Sequence, residues 1–226
     1  MLLHFYEFII SMIFVYVMDR LSIFISNKHM PSNTERWFFI HAFVNLIITY
    51  LSSFELYLCI NDIQNCSKHR LMNNSGYILM LAKASHIYHL LFFKNLSYYE
   101  YLHHMVMCVF CGPLAYLYNK TRMFASTMFF LSGLPGLIDY SNLYLVKRNY
   151  MNSHTQKYIY FIINLWLRSP GLIFMGTSQL LYNNTNNFDE YIVRIILGLC
   201  VIWNSQYFLL LTIKDVINKN IINNKV

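Results

Sequence analysis

Charged side chains are what this chain has least of: 12% of its 226 residues are Asp, Glu, Lys or Arg, against roughly 25% in an ordinary soluble domain. That deficit excludes a water-soluble globule. Glycine and proline are sparse, at seven and four residues, so the chain is neither collagen-like nor Gly-rich, and an 18% aromatic content excludes disorder. Cysteine is confined to Cys59, Cys66, Cys108, Cys111 and Cys200. Four of these lie in apolar runs, so they are expected to be packing residues and not the disulfide framework of a small secreted domain. No basic segment, short apolar core and small-residue cleavage site opens the sequence, and the first hydrophobic segment is expected to stay as a membrane helix.

What is abundant is apolar bulk, 57% of the chain. Runs able to cross about 30 Å of hydrocarbon fall near 5–25, 37–60, 76–93, 98–118, 123–146, 158–181 and 191–213. Alternating strand patterns are absent, and lipid demands that backbone polar groups be satisfied within each span. The expected fold is an all-α integral membrane protein of about seven transmembrane helices, with 1–29 an N-terminal membrane helix, 30–215 the main transmembrane domain and 216–226 a short tail. Asp19 and Arg20 interrupt the first run. It therefore either ends near Met18 and continues along the interface, or its charges pair within the protein.

The net charge of +7 does not form the single basic surface that nucleic acid needs, so no nucleic-acid partner is expected. Lys and Arg sit in loops, where they report orientation. Lys28, Arg36, Lys94, Lys147, Arg148, Lys157, Lys214, Lys219 and Lys225 fall on one side, and Lys68, Arg70, Lys120, Arg122 and Arg194 on the other. The richer side is expected to be cytoplasmic, in a multi-pass protein of the endoplasmic reticulum.

Ionisable residues inside spans are costly and usually face the bundle interior. Here they are His41, Glu55, Lys83, His86, His89, His103, His104, Asp139 and Arg168. At 1.5 Å per residue, His41, His89, His103 and His104 lie roughly 6–9 Å from the expected cytoplasmic ends, His86 and Asp139 roughly 10 Å, and Lys83 and Arg168 roughly 15 Å. Only Glu55 lies near the other face, so a polar chamber open toward the cytoplasm is expected. Lys83, His86 and His89 share a stripe, as do His41, Asn45, Ser52 and Glu55. Each residue alone is equally consistent with one interhelical hydrogen bond.

Three chemistries remain open. An imidazole could take a proton from a lipid hydroxyl or amine, or attack a thioester, with Asp139 orienting it and acyl-CoA as co-substrate. His86-x-x-His89 followed by His103-His104 supplies up to four imidazoles, a set iron accepts in lipid oxidation, though the boxes of desaturases and the contiguous HxxHH of elongases are absent. The same chamber could instead hold a head group in a sensor, transporter or membrane organiser.

The run Phe92-Phe93-Lys94-Asn95-Leu96-Ser97-Tyr98-Tyr99-Glu100-Tyr101-Leu102-His103-His104-Met105-Val106-Met107, behind a His-bearing span, resembles the centre of the TLC-domain family, which includes ceramide synthases, translocon-associated proteins and lipid-regulating relatives. Phe130-Leu131-Ser132-Gly133-Leu134-Pro135-Gly136 is similar to that family's later small-residue and proline segment. The resemblance covers about residues 30–215. It implies six helices in a barrel around a lipid cavity, a peripheral first helix, and an adjacent pair, His103 and His104, essential to acyl transfer in ceramide synthases. The downstream His-Asp element of those enzymes is missing, with only Asp139 in Ile138-Asp139-Tyr140. The expectation is therefore a protein that binds, senses or organises membrane lipid, with a ceramide-synthase-type acyltransferase as the alternative and a metal-dependent lipid oxidase as the second. His103, His104 and Asp139 are the candidate catalytic residues, and His41, His86, His89 and Arg168 the candidate lipid-binding residues. No resident cofactor or metal is expected.

Overall fold

The computed structural model describes residues 2–26, 31–71, 76–93, 98, 101, 105–183 and 185–223. Among them the chain is helical, with no strand and one isolated antiparallel bridge between Arg70 and Thr121. Seven helical rods follow one another. They are α1 (Leu2–Ile25), α2 (Asn33–Asn61), α3 (Gly76–Phe92), α4 (Val106–Cys111 continuing as Gly112–Tyr118), α5 (Arg122–Met128, Phe129–Gly133 and Leu134–Lys147), α6 (Ser153–Ile163, Asn164–Arg168 and Ser169–Leu181) and α7 (Phe188–Asn223). Among the described residues four segments, Phe5–Ile25, Asn33–Asn61, Ser153–Leu181 and Phe188–Ile217, are long and apolar enough to cross a membrane. The 17 residues of α3 extend about 26 Å, a little short of the hydrocarbon core.

Helix ends follow local chemistry. Ser32 and Glu35 form a reciprocal capping box at the start of α2, with both bonds at 3.2 Å. Asn152 Oδ1 accepts from the Thr155 N–H at 2.7 Å to open α6. After α5, Asn149 turns left-handed at φ 60° while Tyr150 N–H bonds the Leu145 carbonyl at 2.9 Å, a Schellman closure with Asn in the glycine position. The neighbouring Arg148 bonds Glu35, which raises its guanidinium above its ordinary value.

Three rods share one irregularity. In α4, α5 and α6 the winding widens to π over Val106–Cys111, Phe129–Gly133 and Asn164–Arg168, and Pro113, Pro135 and Pro170 each stand two residues beyond. Proline lacks the N–H that would meet the carbonyl four residues back. That carbonyl falls inside the wide turn each time, so the turn absorbs the missing bond.

Packing runs in a circuit: α2 against α3, α3 against α4, α4 against α7, α7 against α6, α6 against α5, and α5 back against α2. The first helix packs on α2 and α3 from outside. The main apolar core lies where α1, α2, α3 and α5 meet, around Val15, Ile40, Val44, Ile48, Ile78, Leu81, Tyr88 and Met128. Gly176 and Gly198 let α6 and α7 cross closely, since a Cβ on Gly198 would stand 3.2 Å from the Gly176 carbonyl oxygen.

Two expectations are settled by the packing of α1 and by the turn after α2. The first helix does not stop at Met18 but continues to Ile25, because buried Asp19 pairs with Arg36 of α2; Arg20 instead lies over the Tyr16 ring at 5.0 Å. The cysteines are not all packing residues, since Cys59 and Cys66 form a buried disulfide. Successive turns from Asp62 to Lys68 fold the chain back onto the last turn of α2. An apolar-run reading of Cys59 could not register that return.

Candidate functional site

The site begins with the buried face of α2. His41, Asn45, Ser52 and Glu55 are all buried, and Trp37 lies one turn before His41 on the same face. The Trp37 ring meets His41 edge-on at 3.7 Å between centroids and His89 of α3 at 3.5 Å. His86, three residues before His89, places its ring 6.3 Å from His41. On the other side of His41, Tyr140 of α5 stacks at 4.3 Å with planes 14° apart. Three imidazoles from two helices thus share one neighbourhood with Trp37 and Tyr140.

His86 carries a further constraint. Its Nδ1 lies 2.6 Å from the Ala82 carbonyl oxygen, which can only accept, so Nδ1 holds the proton and Nε2 is the basic nitrogen of the neutral ring.

Beyond Tyr140 the polar groups continue through α5, α6 and α7. Asp139 Oδ1 accepts from Gln156 Nε2 at 2.8 Å. Arg168, buried in the wide turn of α6, donates from Nη2 to Asn204 Oδ1 at 2.8 Å and from Nη1 to Asn164 Oδ1 at 3.4 Å, with its guanidinium 4.7 Å from the Phe208 ring. Asp139, Tyr140 and Tyr160 are within its electrostatic reach. Below it Ser169 and Ser205 share a hydrogen bond at 2.8 Å.

No family model, characterised protein or solved structure matches the chain. The site's geometry therefore stands on its own.

Of the residues singled out in the sequence, His41, His86 and His89 come together, and Asp139 and Arg168 lie one helix further around the circuit. His103 and His104 lie outside the described residues. Asp139 bonds the Gln156 amide, and its expected role toward His103 or His104 falls outside the described residues. Arg168 is held by the neutral amides of Asn164 and Asn204. Lys83 leaves the histidine stripe, its ammonium lying 5.8 Å from the centre of the Phe8 ring of α1. Among the described residues no group of three His, Cys, Asp or Glu is placed to hold a metal. A cavity of about 30 Å³ lined by Leu71, Gly76, Leu79 and Phe124 has room for about one water and adjoins none of these groups.

Sequence reasoning missed Trp37, Tyr140, Gln156, Asn204 and Phe208. Two signals were legible: Trp37 stands at i−4 from His41, and Asn204-Ser205-Gln206 interrupts an otherwise apolar helix.

Proposed function

We propose that this chain is a TLC-like, multi-pass protein of the endoplasmic reticulum membrane that binds, senses or organises lipid in a polar chamber facing the cytoplasm. The observation that carries the reading is the convergence of His41, His86, His89, Tyr140, Asp139 and Arg168 from α2, α3, α5 and α6 onto one end of the circuit. Ionisable groups kept inside apolar rods able to span a bilayer usually face the bundle interior and mark a functional site. The arrangement of α1 outside six helices agrees with the architecture that the resemblance implies. Orientation is supported from both ends, because Lys and Arg favour the side of the α1–α2, α5–α6 and C-terminal segments, while the Cys59–Cys66 disulfide suits an oxidising lumen at the opposite end.

Acyl transfer is the second reading, favoured by the basic Nε2 of His86, with His103, His104 and Asp139 as the remaining candidate catalytic groups. Native mass spectrometry of detergent-purified protein tests the first reading: a stoichiometric copurifying lipid is expected, and protein that binds no lipid at any loading overturns it. Labelled acyl-CoA tests the second. An acyl-lipid or acyl-protein product lost in His103→Ala, His104→Ala or His86→Ala would make the chain an enzyme.

A further inference from the structure

Five arginines are buried or half-buried among the described residues, and four of them hold a carboxylate. Arg36 pairs with Asp19, Arg122 with Glu55, Arg148 with Glu35 and Arg194 with Glu190. Arg168 is the exception. Its hydrogen-bond partners are the amide oxygens of Asn164 and Asn204, and the Phe208 ring covers the guanidinium. Of the five donors a guanidinium carries, Nε makes no hydrogen bond among the described residues, and the bond from Nη1 is long at 3.4 Å. The nearby carboxylate, Asp139, is turned to Gln156. A buried cation held by neutral amides instead of a carboxylate is costly, and ionisable groups kept inside apolar spans usually mark a functional site.

We propose that Arg168, flanked by Asn164 and Asn204, binds the anionic oxygen group of an amphiphile, a carboxylate or phosphate carried on an acyl chain. This rests on the lipid-binding reading and adds the chemical class of the head group. Depth selects an amphiphile. The Lys157–Asp215 pair, at 2.6 Å, links the exposed ends of α6 and α7, and Arg168 lies eleven residues further along α6, about 16 Å inward at helical rise. A free anion would have to shed its water to travel that far, whereas an acyl chain carries its own head group into an apolar bundle. The planar guanidinium fork fits two oxygens of one acid group, and Asn204 adds amide donors beside it. A fatty-acid carboxylate and a phosphodiester both present two such oxygens.

The test is native mass spectrometry of the full chain released from phosphatidylcholine nanodiscs containing a fatty acid, phosphatidylglycerol or neither, with inorganic phosphate as a soluble competitor. The wild-type protein is expected to retain the acidic lipid over phosphatidylcholine, and Arg168→Gln to lose that preference at least tenfold. Arg168→Lys, which keeps the charge without the fork, should fall between. Acidic lipid should raise the melting temperature of the wild-type protein and not that of Arg168→Gln. Comparison of the two lipid arms identifies the acid group, and displacement by inorganic phosphate at millimolar concentration would transfer the site to a free anion and overturn the amphiphile. Equal retention of acidic and neutral lipid, or a preference that survives Arg168→Gln and Arg168→Lys, overturns this inference while leaving lipid binding intact. Absence of any bound lipid overturns both.

Discussion

Arg36 grips both carboxylate oxygens of Asp19, through Nε at 2.7 Å and Nη2 at 2.5 Å, and Tyr88 donates to the same carboxylate at 2.8 Å. Three helices meet at that carboxylate. Asp19 is fully buried and would be intolerable in an apolar helix alone; the guanidinium and phenol supply the charge and donors it needs. The first helix lies outside the six-helix circuit, and this pairing fixes it there in both height and rotation.

Replacement of Asp19 by Asn should therefore cost about 3 kcal/mol or more, because it leaves the Arg36 charge without its partner. Thermal unfolding in detergent measures the loss, and hydrogen exchange should rise first in α1. The double variant Asp19→Asn with Arg36→Gln should lose less than the sum of the single variants, since the two side chains act as a unit. Strict additivity would show that the pair does not couple.

The Cys59–Cys66 bridge makes a chemical prediction. Both thiols should resist maleimide until a reductant is added, while Cys111 and Cys200, free in the structure, should not need it. Closing so short a loop is worth about 2.5 kcal/mol by chain entropy, so Cys66→Ser should lower the melting temperature and abolish the effect of reductant. In sealed microsomes an impermeant reductant should leave the bridge intact if the proposed orientation, with this turn on the lumenal side, is right.

The long apolar rods were legible from hydropathy, and α2, α5 and α6 extend only a few residues past the runs read from it. At the starts of α2 and α6 those extra residues are polar and follow the capping groups Ser32 and Asn152, and are therefore invisible to an apolar scan. Within the site, the presence of His41, His86, Asp139 and Arg168 was readable from cost alone. Their partners were not. Opposite charge alone would pair Asp139 with Arg168, but pairing depends on the rotation of α5 against α6, which the wide turns alter. The same limit hid the Cys59–Cys66 bridge, which depends on how tightly seven residues fold back.

Gly136 predicts a steric result. A Cβ built there would lie 2.5 Å from Asn45 Nδ2 and 3.1 Å from its Cγ, so α5 approaches α2 only because the side chain is absent. Gly136→Val should destabilise by about 1–3 kcal/mol, as overpacking does. Asn45→Ala, which opens the facing space, should recover part of the loss when combined with it. If Gly136→Val leaves the melting temperature unchanged, the two helices are not held at that distance.

Pro135 predicts a rotational one. Its missing N–H leaves the Leu131 carbonyl without an α-helical donor, and the wide turn over Phe129–Gly133 accommodates the loss. Pro135→Ala restores that donor and should let the turn relax to regular α winding. Hydrogen exchange at residues 131–135 should then slow. Removing the one-residue excess of a π turn rotates the C-terminal part of a helix by about 100° relative to its N-terminal part, which would carry Tyr140 off the His41 ring it now stacks on at 4.3 Å. A cysteine pair introduced as His41→Cys and Tyr140→Cys should cross-link readily in the parent and poorly with Pro135→Ala added. Equal cross-linking in both would mean that packing of α5 against Thr49 and Asn45 of α2, and not proline, holds the turn open, since Gly133 and Gly136 make those two contacts.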